Sequence, residues 1–131
     1  PLAKLTKLED LHLTSNQLTD LSPLAGLVQL KTLILSGNNQ LTDVSPLAGL
    51  VQLKKLYLSH NQLTNVSPLD KLTQLENLYL SSNQLTDVSI LAGLTNLKEL
   101  YLTDNPDLTR AQIDELQKAL PKCKIRSNPT K

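Results

Sequence analysis

The chain has 131 residues, with 13 Lys plus Arg against 12 Asp plus Glu, a formal net charge of +1, three Tyr, no Phe, no Trp, no Met and one Cys. That charge excludes a general polybasic surface for phosphate backbones or anionic membranes, no run approaches the roughly 18 apolar residues of a membrane span, and the lone Cys123 excludes an internal disulfide framework or a thiolate zinc cluster. With 33 Leu, aliphatic packing has to supply nearly all of the core.

Those leucines recur with a fixed period, the mark of a repeat architecture. The pattern Leu-x-x-Leu-x-Leu-x-x-Asn occurs at Leu8/Leu11/Leu13/Asn16, Leu30/Leu33/Leu35/Asn38, Leu53/Leu56/Leu58/Asn61, Leu75/Leu78/Leu80/Asn83 and Leu97/Leu100/Leu102/Asn105, the first leucines lying 22, 23, 22 and 22 residues apart. A degenerate sixth copy, Leu120/Cys123/Ile125/Asn128, follows 23 residues on. Each unit opens with alternating apolar and polar residues, as in Leu11-His12-Leu13-Thr14, which predicts a strand buried on one face and wet on the other. The Asn that closes each block lies where the chain turns toward the core, and its amide can satisfy backbone groups that a buried turn would leave unpaired. The second unit carries one extra residue in Asn38-Asn39-Gln40, and a local bulge is expected there.

After the Asn comes a second apolar group (Leu18/Leu21, Leu41/Val44, Leu63/Val66, Leu85/Val88), then Ser-Pro-Leu-Ala-Gly-Leu at residues 22–27 and 45–50, with variants at 67–72 and 89–94. Ser followed by Pro reads as an N-cap and first helical position. The few residues left before the next strand allow a short 3-10 turn, so the strands have to stack in parallel through right-handed crossovers into a solenoid. Near the end, Thr109-Arg110-Ala111-Gln112 has capping-box spacing, with Ile113, Leu116 and Leu120 continuing it at helical intervals; a helix is predicted at about 110–119 and a last strand at about 122–125. At the other end, Pro1-Leu2-Ala3-Lys4-Leu5 aligns with the middle of a Ser-Pro-Leu-Ala-Gly-Leu segment, so the array is expected either to belong to a longer protein or to pair with another copy through its uncapped N-terminal end.

The six blocks, with the Leu-Thr-Asp-Val-Ser-Pro-Leu-Ala-Gly-Leu segment at residues 41–50 and its Pro-less counterpart at 85–94, resemble the 22-residue subclass of leucine-rich-repeat proteins, found in bacterial internalins and in regulatory subunits of a eukaryotic protein phosphatase. The resemblance covers nearly the whole chain. It implies an α/β repeat fold: a right-handed leucine-rich-repeat solenoid with a parallel sheet on the concave face, short 3-10 turns on the convex face and a C-terminal capping helix. One domain over 1–131 is expected, with a partial first repeat at 1–7 and a cap at 109–128. The resemblance also implies a scaffold that binds another protein through the concave face. A structural spacer or assembly segment of a larger protein is the alternative.

With the leucines pointing inward, the residues between them form columns across the wet face, one per unit. The central column reads His12, Ile34, Tyr57, Tyr79, Tyr101, Lys124 and holds every aromatic residue of the chain. Amphipathic Tyr anchors of this kind dominate binding hot spots, and cross-strand aromatic neighbours also stabilise sheets; the two readings are compatible. The candidate partner-binding residues are His12, Ile34, Tyr57, Tyr79 and Tyr101, together with the basic cluster Lys31, Lys54 and Lys55 and the adjacent His60. The segment from Arg110 onward carries six cations and two acids, which polarises the chain toward a basic C-terminal end.

Catalysis and metal binding find no support in the pattern. His60, Ser82 and Asp104 share a column, but a triad needs His between nucleophile and carboxylate, whereas here Ser82 stands in the middle. His12 and His60 lie in different columns roughly 10 Å apart along the stack, too far to share a metal. Asp20, Asp43 and Asp87, with Asn65 at the matching place, read as a row of turn caps more simply than as converging calcium ligands, and Gly26, Gly49 and Gly93 are single turn glycines. Cys123 is expected to be buried and inert. No cofactor, metal or nucleic-acid partner is expected.

Overall fold

The computed structural model describes residues 6–14, 19–37 and 40–127. Six short strands pair in chain order into one parallel sheet: β1 (Asp10–His12), β2 (Thr32–Ile34), β3 (Lys55–Tyr57), β4 (Asn77–Tyr79), β5 (Glu99–Tyr101) and β6 (Lys124–Arg126). The middle residues Leu11, Leu33, Leu56, Leu78 and Leu100 stand in register. Alternation along each strand sends these leucines to one side and their polar neighbours to the other, so Leu33, Leu56, Leu78 and Leu100 are wholly buried. The chain returns through 3-10 turns at Ser22–Leu24, Ser45–Leu47, Ser67–Leu69 and Ser89–Gly93, whose own leucines Leu24, Leu47, Leu69 and Leu91 are buried as well. The interior is therefore a stack of leucine layers between sheet and turns, each side chain contributing roughly 1.5–3 kcal/mol on burial. This is the expected leucine-rich-repeat solenoid.

The turns are capped differently from the expectation. Ser22, Ser45, Ser67 and Ser89 are the first residues of their 3-10 turns; Leu21, Val44, Val66 and Val88 hold the cap position and make no side-chain cap. The cap comes from one residue further back. Asp20, Asp43, Asn65 and Asp87 each accept the Ser backbone N–H two residues on, at 2.9 Å. These are Asx turns: a serine inside the turn has its own N–H to satisfy, and the preceding carboxylate or amide reaches it. The row of acids is thus a row of turn caps.

At the C-terminal end, the helix α1 (Arg110–Ala119) replaces the short turn and packs against Ser89–Gly93. Its capping box is complete: Gln112 donates its N–H to Thr109 Oγ1 at 3.2 Å, and Thr109 donates its N–H to Gln112 Oε1 at 2.8 Å. The strand after it corrects the sixth repeat. Ile125 pairs with Leu100 and Arg126 with Tyr101, two residues out of step with the alignment that set Ile125 against Leu102 and Lys124 against Tyr101. A ten-residue helix in place of a turn changes the path back to the sheet; a two-residue shift keeps the same side chains inward, because strand alternation has period two. Cys123 is buried just before β6, as expected, and burial pushes its thiol up, with the Glu99 charge adding to the effect. The open first unit (1–5), Asn16, the bulge at Asn38 and Asn39, and Asn128 lie outside the described residues.

The remaining asparagines form a ladder. Asn83 donates through Nδ2 to the carbonyls of Leu58 and Leu80, both at 3.0 Å, and its Oδ1 accepts the N–H of Leu63 at 3.0 Å. Asn105 repeats this with Leu80, Leu102 and the N–H of Leu85. Asn61 makes only the donor half, to Leu35 and Leu58. Its Oδ1 is buried with no partner. The matching donor is Leu41, twenty residues back, and the extra residue of the 23-residue unit falls immediately before it.

Asn83→Ala is expected to cost about 3 kcal/mol, since it leaves an N–H and carbonyls unpaired in the interior, and Asn61→Ala about 1 kcal/mol less, because its acceptor is already idle. Urea unfolding of the two variants checks this, and equal losses would contradict it.

Candidate functional site

The wet face of the sheet brings the central column together. Along the ladder, His12 pairs with Ile34, Ile34 with Tyr57, Tyr57 with Tyr79 and Tyr79 with Tyr101, and Arg126 stands at the end where Lys124 was expected. Parallel strands lie about 4.8 Å apart, and the rings take up that spacing. Tyr57 and Tyr79 have centroids 4.3 Å apart at 29°, and Tyr79 and Tyr101 are 4.4 Å apart at 1°. Ile34 and the three tyrosines are half-buried, while His12 and Arg126 at the two ends are exposed. Each stacked pair adds about 0.5–1.5 kcal/mol beyond its burial, so the file is a structural element of the sheet as well as a surface.

A polar cluster underlies its centre. Glu99 Oε1 accepts the Tyr79 hydroxyl at 3.1 Å and Asn77 Nδ2 at 2.8 Å. Asn77 is Glu99's direct ladder partner, and Tyr79 lies on the diagonal. Burial between neighbouring rings, and then the bond to this carboxylate, raise the Tyr79 phenol well above its ordinary value. Column alignment places Asn77 beside Glu99; the diagonal reach of Tyr79 depends on side-chain direction and has no sequence signal.

The basic cluster is divided. Lys31 pairs with Glu9 at 3.6 Å, and further along Lys98 pairs with Glu76 at 3.5 Å. Lys54 and Lys55 are exposed and, among the described residues, form no ion pair. Lys55 shares the wet face with Tyr57, two residues on, whereas His60 lies off the strand at the far rim. There His60, Ser82 and Asp104 have φ of 61°, 58° and 59°, and Gly37 in the same column has 78°. The would-be triad is thus a file of left-handed turn residues, each leading into the next residue of the chain at the Asn position, and Gly37 was the signal for it. Along this rim, Thr103 Oγ1 donates to Ser81 Oγ at 2.8 Å. A cleft of about 440 Å³ lies elsewhere, between α1 and Ser89–Gly93, and does not touch the tyrosine file. Among the described residues no helix is long and apolar enough to cross a membrane.

Geometry and sequence converge on one class, an open repeat scaffold with a decorated sheet face. A leucine-rich-repeat profile spanning two copies matches residues 6–49, 28–71, 51–91 and 73–118, and the chain belongs to the leucine-rich-repeat family. Among solved structures it is similar to internalin C2 of Listeria monocytogenes, with 38% identity and a TM-score of 0.85 over 96% of this chain and 54% of that one. It is also similar to an internalin, inlF, of the same organism, with 32% identity and a TM-score of 0.75 over 98% and 44%. A leucine-rich-repeat protein of Leptospira interrogans follows at 28% identity and a TM-score of 0.68 over 94% and 38%. The chain is thus internalin-like and spans about half the length of these internalins. No curated protein matches it by sequence. Leucine-rich-repeat proteins generally mediate protein–protein interaction and are typically non-enzymatic.

Folding favours the protonated form of Tyr79, a contribution fully present below the ordinary value of 10.0 and lost as pH rises above it. In an alkaline titration followed by tyrosinate absorbance, one of the three tyrosines is expected to ionise last, and Tyr79→Phe to remove that late step. Absence of any late step in the unaltered protein would contradict the burial of Tyr79 together with its Glu99 bond.

Proposed function

We infer that the sheet face is a protein-recognition surface centred on Ile34, Tyr57, Tyr79 and Tyr101, and that the chain acts by binding a protein or peptide rather than by catalysis. One observation carries this: every aromatic residue of the chain stands in a single half-exposed file on the face that the leucines leave free. Large, rigid, amphipathic side chains clustered at the middle of a surface are the residues that concentrate binding energy. His12 extends the file at its first strand, Lys31, Lys54 and Lys55 flank it on one side, and His60 flanks it on the other. The family role supports the same reading.

Peptides selected from a random display library on the unaltered protein provide the probe. Tyr79→Ala is expected to weaken them by about 2 kcal/mol, roughly thirtyfold, measured by titration calorimetry alongside the melting temperature. A lowered melting temperature with unchanged affinity would make the tyrosines framework alone. Selection of no peptide that depends on this face would favour the spacer role.

A further inference from the structure

The charges on the sheet face are unequally used. Glu99 is taken up by Asn77 and Tyr79, Glu76 pairs with Lys98, and Glu9 pairs with Lys31. Two cationic groups are left: Lys55 near Tyr57 on β3 with Lys54 just before it, and on β6 Arg126 beside Tyr101 with Lys124 beside Glu99. All four are exposed and, among the described residues, in no ion pair. The tyrosine file runs between them. On the strands it crosses, Glu76 is held by Lys98, and Glu99, beside Lys124, accepts the neutral Asn77 amide and Tyr79 hydroxyl, which leaves Arg126 as the cation at that end turned to the file; Asp10 is exposed two strands from Lys55, on β1.

We propose, resting on the binding role of this face, that its partner is an extended acidic protein segment laid across the strands, with two carboxylates about four residues apart. The spacing follows from the ladder. β3 and β6 are three strand steps apart, about 14 Å at about 4.8 Å per step, and an extended chain advances about 3.3 Å per residue. One carboxylate meets Lys54 and Lys55, the other meets Arg126, and the residues between them lie on the tyrosine edges. Opposite charges at the two ends set the register of the segment and speed its encounter with the face. A nucleic acid fits less well, because its evenly spaced phosphates would also face Glu76 and Glu99, and the net charge of +1 supplies no general attraction.

The test is fluorescence anisotropy with a dye-labelled Gly-Asp-Val-Asn-Val-Asp-Gly peptide. Its comparisons are the same peptide with Lys for Asp, an isomer with the two Asp adjacent, and an oligothymidine competitor. The spaced acidic peptide is expected to bind best, to weaken as salt is added, and to lose about tenfold or more in affinity when Lys55→Glu and Arg126→Glu are combined. Both positions are exposed, so circular dichroism should show the fold retained. Absence of binding, equal binding of the lysine peptide or of the adjacent isomer, or stronger binding of oligothymidine would overturn the proposal. Binding lost in Tyr57→Ala but indifferent to charge reversal would remove the acidic partner and leave the recognition face standing. Binding indifferent to both changes would remove the two together.

Discussion

A single coil of this chain carries too few leucines to close a core around itself, so each buried side chain depends on the next coil arriving in register. Leu33, Leu56, Leu78 and Leu100 are wholly buried because each is covered by its ladder neighbours as well as by the turn across the interior. The same register lets Asn83 bond to its own coil, through Leu80, and to the coil before it, through Leu58 and Leu63. Apolar packing supplies the attraction between coils, and the amide ladder makes one alignment of them cheaper than its neighbours, since a slip would leave buried polar groups unpaired. The orphaned Oδ1 of Asn61 marks the place where the array's one unequal spacing among its first five units interrupts that agreement.

Features encoded within a few residues were legible in the sequence. The bounds of α1 follow from a local capping box and helical spacing, and the acids of the turns follow from Asx chemistry over two residues. The columns of the sheet were legible because a fixed period converts sequence distance into ladder position. Legibility failed where the period did. Cys123 and Ile125 mimic the repeat spacing, but the chain reaches β6 from a helix, and the ladder settles two residues away. The cap residue of the 3-10 turns was misplaced because Ser-Pro satisfies the rule for an α-helix start, while these turns begin one residue earlier. In the candidate site, the tyrosine file was readable as a column. The Glu99 cluster was not, since it joins two columns through the direction of a side chain.

The tyrosines serve the fold and the surface through different parts of the ring. Faces turned toward one another at 4.3 and 4.4 Å are consumed by the stack. What the file offers outward is ring edge and hydroxyl, and the Tyr79 hydroxyl is already bonded to Glu99. A surface of this kind favours groups that can lie along a row of edges and find polar partners beside it, over a single flat group that would need an open ring face.

The two ends of the file differ in chemistry. The outer neighbours of the stack along the ladder are Ile34, beside Tyr57, and Arg126, beside Tyr101. The two-residue shift of β6 therefore has a chemical consequence: the side chain next to the last tyrosine is a planar guanidinium with a fixed fork of donors, where the repeat alignment would have set a flexible ammonium. A guanidinium holds a carboxylate in one orientation and tolerates an aromatic neighbour, so it can present charge beside the stack without disturbing it. The helix that breaks the repeat period at the C-terminal end thus also decides which cation stands at the end of the tyrosine file.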